Sequence, residues 1–178
     1  MRALNCANYL IYILNDSCDD LTNMKLNKLL YYAQGFCLKQ NNENMFDDEI
    51  EAWQHGPVVP SVYHEYKAFR DDPIHVWDES KIKDIDDKKK GVLFNVARKY
   101  SRFTANALRN MTHDPKGLWA RFYKPGEKNI VIPQREIKQY FAEHEKELKD
   151  LELSFSEDDF IGYRDKDGYL VLPEGWDD

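Results

Sequence analysis

Residues 26–36 read LNKLLYYAQGF and indicate a helical fold class. Its apolar positions recur at helical spacing and predict one buried face, made of Leu26, Leu29, Leu30, Ala33 and Cys37. Thr22 or Asn23 predicts the start of this helix, because either side chain can accept a hydrogen bond from a free N–H of the first turn. The pattern runs to about Lys39. Gly35 lies inside it and indicates a close contact with another helix.

Further helices are predicted on both sides of this one. Leu4, Ala7, Ile11 and Leu14 predict a helix over about residues 2–15. Other starts follow from capping residues, first-turn acids and proline at the first helical position. One helix is predicted from Pro60 to about Arg70, and another begins after Asp84–Asp87 with a buried stripe of Leu93, Val96, Ala97 and Tyr100. Two short helices are predicted to begin after Thr104 and after Asp114. The last begins at Pro133, with Ile137, Phe141, Leu148 and Leu151 in register.

Strand signals are few. Ile50 and Ala52 alternate with polar residues and predict a short strand within residues 47–53, followed by a turn over residues 55–60. Residues 130–132 predict a brief strand. Residues 160–164 and 169–172 flank a four-residue loop that ends in glycine, which predicts a β-hairpin. The expected fold class is therefore mainly α (α+β), a compact multi-helix domain with a short strand and a C-terminal β-hairpin.

The net charge of −7 is confined to one end of the chain. Residues 151–178 hold nine acidic and two basic residues, so residues 1–150 sum to zero. We expect a helical domain over residues 1–150 and an acidic hairpin extension over residues 151–178. Such an extension repels phosphate backbones and suits a basic partner, or it is a solvated tail that keeps the protein soluble.

Composition predicts a soluble single domain of the cytoplasm. The chain has 178 residues, 42% of them hydrophobic, and its longest early apolar run, residues 9–14, is too short for a membrane span or a signal peptide. Cys6, Cys18 and Cys37 form no CxxC pair and no Cys/His cluster, so they predict free, mostly buried thiols and no metal site.

Catalytic patterns are weak, and we expect a protein without enzymatic activity or a cofactor. None of the phosphate-loop, dinucleotide, zinc-protease or serine-hydrolase motifs is present. His64–Glu65 and His113–Asp114 are neighbours in sequence, but adjacent residues on a helix point to different faces. Lys88–Lys90 lie beside three aspartates, so they predict a mixed-charge surface, and a nucleic-acid partner is not expected.

The aromatic residues of the first 120 positions allow two interpretations. Tyr31, Tyr32, Tyr63, Tyr66, Trp53 and Trp119 lie in or between predicted helices, where aromatics are usually core. Tyr and Trp also dominate the binding energy of protein interfaces. An exposed subset would therefore mark a contact surface.

Three stretches resemble the Panacea (SocA-like, GepA-like) antitoxin family. They are LNKLLYYAQGF at residues 26–36, FDDEIEAWQHGPVVPSVY at residues 46–63, and a stretch from Leu108 through Thr112–His113 to Trp119. Gly117–Leu118 stands where the family has Gly-Pro. The matching motif positions, expected to be structural, are Lys28, Leu29, Leu30, Tyr31, Tyr32, Gln34, Gly35, Trp53, Gly56, Pro57, Val58, Pro60, Tyr63, His113 and Trp119. Gly56 is expected to adopt positive φ, and Trp53 to close the core over the second helix.

The resemblance implies the antitoxin of a type II toxin–antitoxin pair. Such a protein neutralises a cognate toxin, encoded by a neighbouring gene, by direct contact. The family is also associated with phage and prophage genes, and some members resemble adaptors that hand a toxin to the ClpXP protease. The alternative is a prophage-associated transcriptional regulator that binds its own operator DNA; the neutral domain and acidic end argue against it.

Residues 151–178 lie beyond the resemblance, and in a family with varied toxins they are a candidate specificity segment. Acidic side chains there would steer association with a basic toxin, and aromatic ones would anchor the complex. The candidate partner-binding residues are Asp158, Asp159, Tyr163, Asp165, Asp167, Tyr169 and Trp176.

Overall fold

The computed structural model describes residues 1–143, together with the backbone pairing of residues 163–164 and 170–171. The helices within residues 1–143 are α1 (Ala3–Leu14), α2 (Asn23–Asn41), α3 (Pro60–Tyr66), α4 (Glu79–Ile82), α5 (Asp87–Tyr100), α6 (Ala105–Thr112), α7 (Leu118–Phe122) and α8 (Gln134–Glu143). A 3-10 turn, Lys67–Phe69, follows α3. None of the described helices is long and apolar enough to cross a membrane. The mainly α fold class is confirmed.

Helix α2 is the centre of the domain. It packs against α1, α3, α5, α6 and α8, and it is buried on nearly all sides. Gly35 permits the closest approach: a Cβ at this position would lie 2.2 Å from the ring of Phe141 on α8. The close helix contact predicted at Gly35 is therefore confirmed, and a larger side chain there would push α8 away.

The strands form two small antiparallel hairpins. In the first, β1 (Glu51–Trp53) pairs with β2 (Gly56–Val58), with Trp53 opposite Gly56 across the turn Gln54–His55. Residues 130–132 extend this sheet beyond β1, since Val131 pairs with Glu51. In the second, β3 (Tyr163–Arg164) pairs with β4 (Leu170–Val171), so the predicted C-terminal hairpin is confirmed at those positions.

Several predicted helix starts are confirmed by their caps. Thr22 accepts a hydrogen bond from the N–H of Lys25, and Thr104 accepts one from Ala107. Asp86 caps α5, and Pro133 immediately precedes α8. The predicted apolar stripe of α5 is buried, and so are Ile137 and Phe141 of α8; Leu148 and Leu151 lie outside the described residues. Cys6, Cys18 and Cys37 are free and buried.

Two local predictions are wrong. The segment predicted as a turn over residues 55–60 contains β2, because a two-residue turn is enough to reverse the chain. The helix expected after Asp114 begins only at Leu118, since the Asp114 side chain accepts a hydrogen bond from Lys116 and closes a turn instead. The helical segment predicted from Pro60 to about Arg70 is confirmed, with α3 to Tyr66 and the 3-10 turn to Phe69.

Candidate interaction surface

Polar side chains of α2 hold the backbone of β2 and α3. The Lys28 ammonium donates to the Pro57 carbonyl at 3.0 Å, and the Asn27 side-chain oxygen accepts from the N–H of Val59 at 2.9 Å. Asn23 donates to the carbonyl of Tyr63 at 3.0 Å. The bond to Pro57 satisfies a carbonyl of the edge strand, and the other two satisfy backbone groups at the start of α3 and within it.

Gln34 performs the same task for the chain that enters β1. Its side-chain amide donates to the carbonyl of Phe46 at 3.3 Å and its oxygen accepts from the N–H of Phe46 at 3.1 Å. Asp48 adds two bonds, accepting from the N–H of Ala3 and from the hydroxyl of Ser61. The hairpin is thus fixed to α1, α2 and α3.

His113 and Trp119 fix the tip of the hairpin from another direction. The ring nitrogens of His113 lie 2.7 Å from the Arg109 carbonyl oxygen and 3.1 Å from that of Gln54. The indole N–H of Trp119 donates to the carbonyl of Trp53 at 2.8 Å. The Trp119 ring also packs on His113, with ring centres 3.9 Å apart. The third stretch of the resemblance therefore meets the second at the hairpin tip.

Lys28 lies in an unusual electrostatic setting. Its side chain is fully buried, and this burial, together with the charge of Arg109, lowers its pKa to about 7. Gly56 makes room for it, with a φ of 103°: a Cβ there would lie 2.8 Å from the Thr112 hydroxyl and 2.9 Å from the Lys28 ammonium. The positive φ predicted at Gly56 is confirmed.

Arg109 brings a second cation close to Lys28. Its Nε is buried and makes no hydrogen bond within the described part of the chain, although its Nη1 reaches the side chain of Asn110 at 3.4 Å. This side of the hairpin is therefore cationic and closed to solvent at Lys28.

The outer side of the hairpin carries an exposed aromatic cluster of Trp53, Tyr63 and His64. The rings of Trp53 and Tyr63 meet edge to face with centres 4.9 Å apart, and His64 contacts both. Tyr63 is 37% exposed, and His64 is also exposed. The prediction that Trp53 closes the core over α2 is wrong, because its partly exposed ring packs on α3 instead.

Glu51 lies beside this cluster. It is only 9% exposed, and its carboxylate accepts a hydrogen bond from the Trp53 indole N–H at 2.7 Å. Glu51 and Trp53 are two residues apart on β1, so their side chains lie on the same face of the sheet, opposite to that of Ala52. Within residues 1–143 no cationic side chain forms an ion pair with Glu51.

The remaining motif residues of α2 lie in the core or, like the partly buried Tyr32, pack against it. Leu29 and Leu30 are fully buried, and Tyr31 and Tyr32 join an aromatic group with Tyr100 and Phe141, in which the rings of Tyr32 and Tyr100 stack at 4.2 Å. Val58 is buried and Pro60 opens α3. The aromatic residues thus divide, as the sequence left open, into a core set and an exposed set.

Sequence reasoning missed Asn23, Lys25, Asn27 and Glu51 as buried polar residues. Their types are usually exposed, and only their neighbours in the fold explain their burial. The candidate residues Asp158, Asp159, Asp165, Asp167, Tyr169 and Trp176 lie outside the described residues, and of Tyr163 only the backbone pairing is described. In the described part of the chain, His, Cys, Asp and Glu side chains form no group of three or more that could hold a metal ion.

The chain is therefore a helical domain in which a central helix holds a short β-hairpin with an aromatic outer face. A family model described as "Antitoxin SocA-like, Panacea domain" matches residues 26–120, more than half of the chain. The chain belongs to this family of SocA-like antitoxins. A search of curated proteins gave no match, and neither did a search of solved structures.

Proposed function

We propose that this protein is the antitoxin of a type II toxin–antitoxin pair, acting in the cytoplasm as a binding protein rather than an enzyme. In this proposal it neutralises a protein toxin, encoded by a neighbouring gene, by direct contact. The observation that carries the proposal is the family match over residues 26–120. It supports an antitoxin-like role, and the exposed aromatic cluster supports contact with a protein.

The proposal is tested with the neighbouring gene under separate induction. Its product alone should arrest growth, and co-expression of this chain should restore growth. The two purified proteins should form a stable complex in gel filtration. A neighbouring product that is harmless, or that is not neutralised by this chain, would contradict the proposal.

Stoichiometry separates binding from catalysis. A binding antitoxin must be present in at least equal amounts, so residual toxin activity should fall linearly and reach zero near one chain per toxin. An enzyme would inactivate the toxin at a small fraction of that ratio. Measuring toxin levels in cells with and without ClpX then shows whether binding alone suffices or delivery to a ClpXP-type protease is also required.

We further propose that residues 151–178 carry specificity for one toxin. The support is that this segment contains the entire net charge of −7. Replacing Asp158, Asp159 and Asp165 by Lys in the full chain should slow association at low salt and flatten its salt dependence, because like charges remove electrostatic steering. Replacing Asp71, Asp72 and Asp84 by Lys is the matched control. Equal rates for both triple variants would assign the tail a solubilising role only.

A further inference from the structure

The outer face of the hairpin combines features that suit a cationic side chain. Trp53 and Tyr63 present the ring surfaces and edges of an edge-to-face pair, and part of this pair is open to solvent. The face of an aromatic ring is electronegative and attracts ammonium or guanidinium groups within about 6 Å. The third ring, His64, contacts both of the others and extends the same exposed surface.

The carboxylate of Glu51 supplies the charge. A carboxylate this deeply buried is costly unless a cation or several hydrogen bonds compensate it, and the bond described for it comes from the Trp53 indole. Because that bond joins Glu51 to the aromatic cluster, the negative charge lies beside the ring that a cation would contact. An acidic or purely apolar ligand would leave it uncompensated.

The cluster is also held rigidly. The backbone of Trp53 accepts a bond from Trp119, its indole is fixed by Glu51, and the backbone of Tyr63 accepts from Asn23. Side chains that are fixed before binding lose little conformational entropy when a partner arrives, which favours their use as interface anchors. The hydrogen bonds from α2 and α7 therefore hold the aromatic cluster in place for binding as well as stabilising the fold.

We infer that Glu51, Trp53, Tyr63 and His64 form a binding site for an arginine side chain displayed by the partner protein. Arginine fits better than lysine, since its planar guanidinium can stack on a ring and bond to a carboxylate at the same time. This inference rests on the proposed antitoxin function for the identity of the partner. The site itself can be tested without that partner.

The first experiment uses the full chain labelled with ¹⁵N and titrated with N-acetyl-arginine amide at fixed ionic strength. The Trp53 indole signal, identified by its loss in Trp53→Phe, should shift and saturate. N-acetyl-citrulline amide, which has a similar shape without the charge, should bind at least tenfold more weakly. An absent shift, or equal binding of the two compounds, would overturn the inference.

Variants assign the site to its residues. Glu51→Gln keeps an acceptor for the Trp53 indole and removes the charge, so it should weaken arginine amide binding about tenfold. Tyr63→Ala should weaken it several-fold. Val76→Ala, a matched change at a hydrophobic residue exposed elsewhere on the surface, should have no effect. Thermal melts of each variant show that the fold is retained.

The same variants are then tested against the neighbouring gene product. Glu51→Gln and Tyr63→Ala should each weaken the complex about tenfold or more, and Val76→Ala should not. A complex that forms with undiminished affinity in both variants would overturn the arginine site and leave the antitoxin proposal standing. If no complex forms even with the natural chain, the antitoxin proposal fails, and the titration with arginine amide alone decides the site.

Discussion

Two lysines on α2 lie three residues apart and are buried almost completely, yet their surroundings are opposite. The Lys25 ammonium bonds to the carboxylate of Asp20 and, at 2.6 Å, to the carbonyl of Ser101. The Lys28 ammonium bonds to the carbonyl of Pro57, with the charge of Arg109 nearby and no carboxylate in ion-pair distance within residues 1–143. Lys25 is therefore a paired cation that ties α2 to the end of α5.

Burial alone therefore does not determine how a charged side chain affects stability; its partners do. Lys25 has an ion-pair partner, Asp20, in the folded protein. Lys28 has none among the described residues, and its pKa is lowered to about 7 because burial disfavours its charged form. One lysine stabilises through its charge, and the other satisfies a backbone carbonyl at an electrostatic cost. The following variants separate these two roles, from the largest expected effect on stability at pH 7 to the smallest.

Leu29, which directly follows Lys28 on α2, gives the reference value for apolar packing on this helix. It is fully buried, so Leu29→Ala should lower the free energy of unfolding by about 2–5 kcal/mol, as large-to-small core changes do. Denaturant unfolding measures this value. Met24→Ala, at a half-buried position of the same helix, is the control and should cost clearly less. A loss below about 1 kcal/mol for Leu29→Ala would show that the core is not packed around α2 as described.

Gly56→Ala, which affects the surroundings of Lys28, should cause the next largest loss in the free energy of unfolding. The positive φ disfavours any residue with a Cβ, and the added methyl group would collide with Thr112 and Lys28. We expect a loss of about 1–3 kcal/mol, measured by thermal or denaturant unfolding. Gly126→Ala is the matched control, because Gly126 also has positive φ but no neighbour within 4 Å of a Cβ. Equal losses for the two variants would mean that backbone strain alone acts at Gly56.

Much of this fold could be predicted from the sequence, because the relevant signals are local. Thr22 and Thr104 were recognisable as helix caps from the residues that follow them. Ile137 and Phe141 were recognisable as buried residues of one helix face from their spacing. The β2 strand was missed since Gly56–Pro57 is also typical of a turn. Pairing across a two-residue turn depends on the partner strand and on the side chains of α2, which lie far away in sequence.

The polar interior and the exposed site were beyond local signals. Lysine and glutamate are nearly always exposed, so nothing in the sequence singles out Lys25 or Glu51 as buried. The sequence left the aromatic residues open between core and contact surface, and periodicity could not tell Tyr32, which stacks on the buried Tyr100, from Tyr63, which is exposed. Only the packing of α3 on the hairpin makes that distinction.

The ion pair of Lys25 is tested by Asp20→Asn. Removing one partner of a fully buried pair costs about 3–5 kcal/mol. Asp20 is 51% exposed, so solvent already screens the pair, and the Ser101 carbonyl still accepts from Lys25; we therefore expect about 1–2 kcal/mol. Asp19→Asn is the control and should be nearly neutral; equal losses would show that the pair contributes nothing specific. Burial raises the pKa of Asp20, but bonds from Lys25 and Cys18 outweigh this and lower it. The stabilisation is thus present above the unfolded pKa of about 4 and is lost on acidification.

Lys28→Met should have the smallest net effect at pH 7, about 1 kcal/mol or less, because two terms oppose each other. The variant removes the cost of burying an amine, but it leaves the carbonyl of Pro57 without its hydrogen bond. Lys25→Met should cost more than Lys28→Met, because it removes both the charge–charge attraction to Asp20 and the hydrogen bond to Ser101. Asp20 itself is half-exposed and stays solvated in this variant. Unfolding of the two variants in parallel makes the comparison direct.

The pH dependence of Lys28→Met decides which term acts. The folded-state pKa of about 7 lies below the unfolded value of about 10.4, so between these pH values the unfolded chain binds more protons and the natural protein gains stability as pH rises. Lys28→Met lacks this gain. The stability of the natural protein relative to Lys28→Met should therefore increase by about 2 kcal/mol between pH 7 and pH 9. Parallel profiles over this range would mean that Lys28 titrates as an ordinary exposed lysine, and that the hairpin opens to solvent at Pro57.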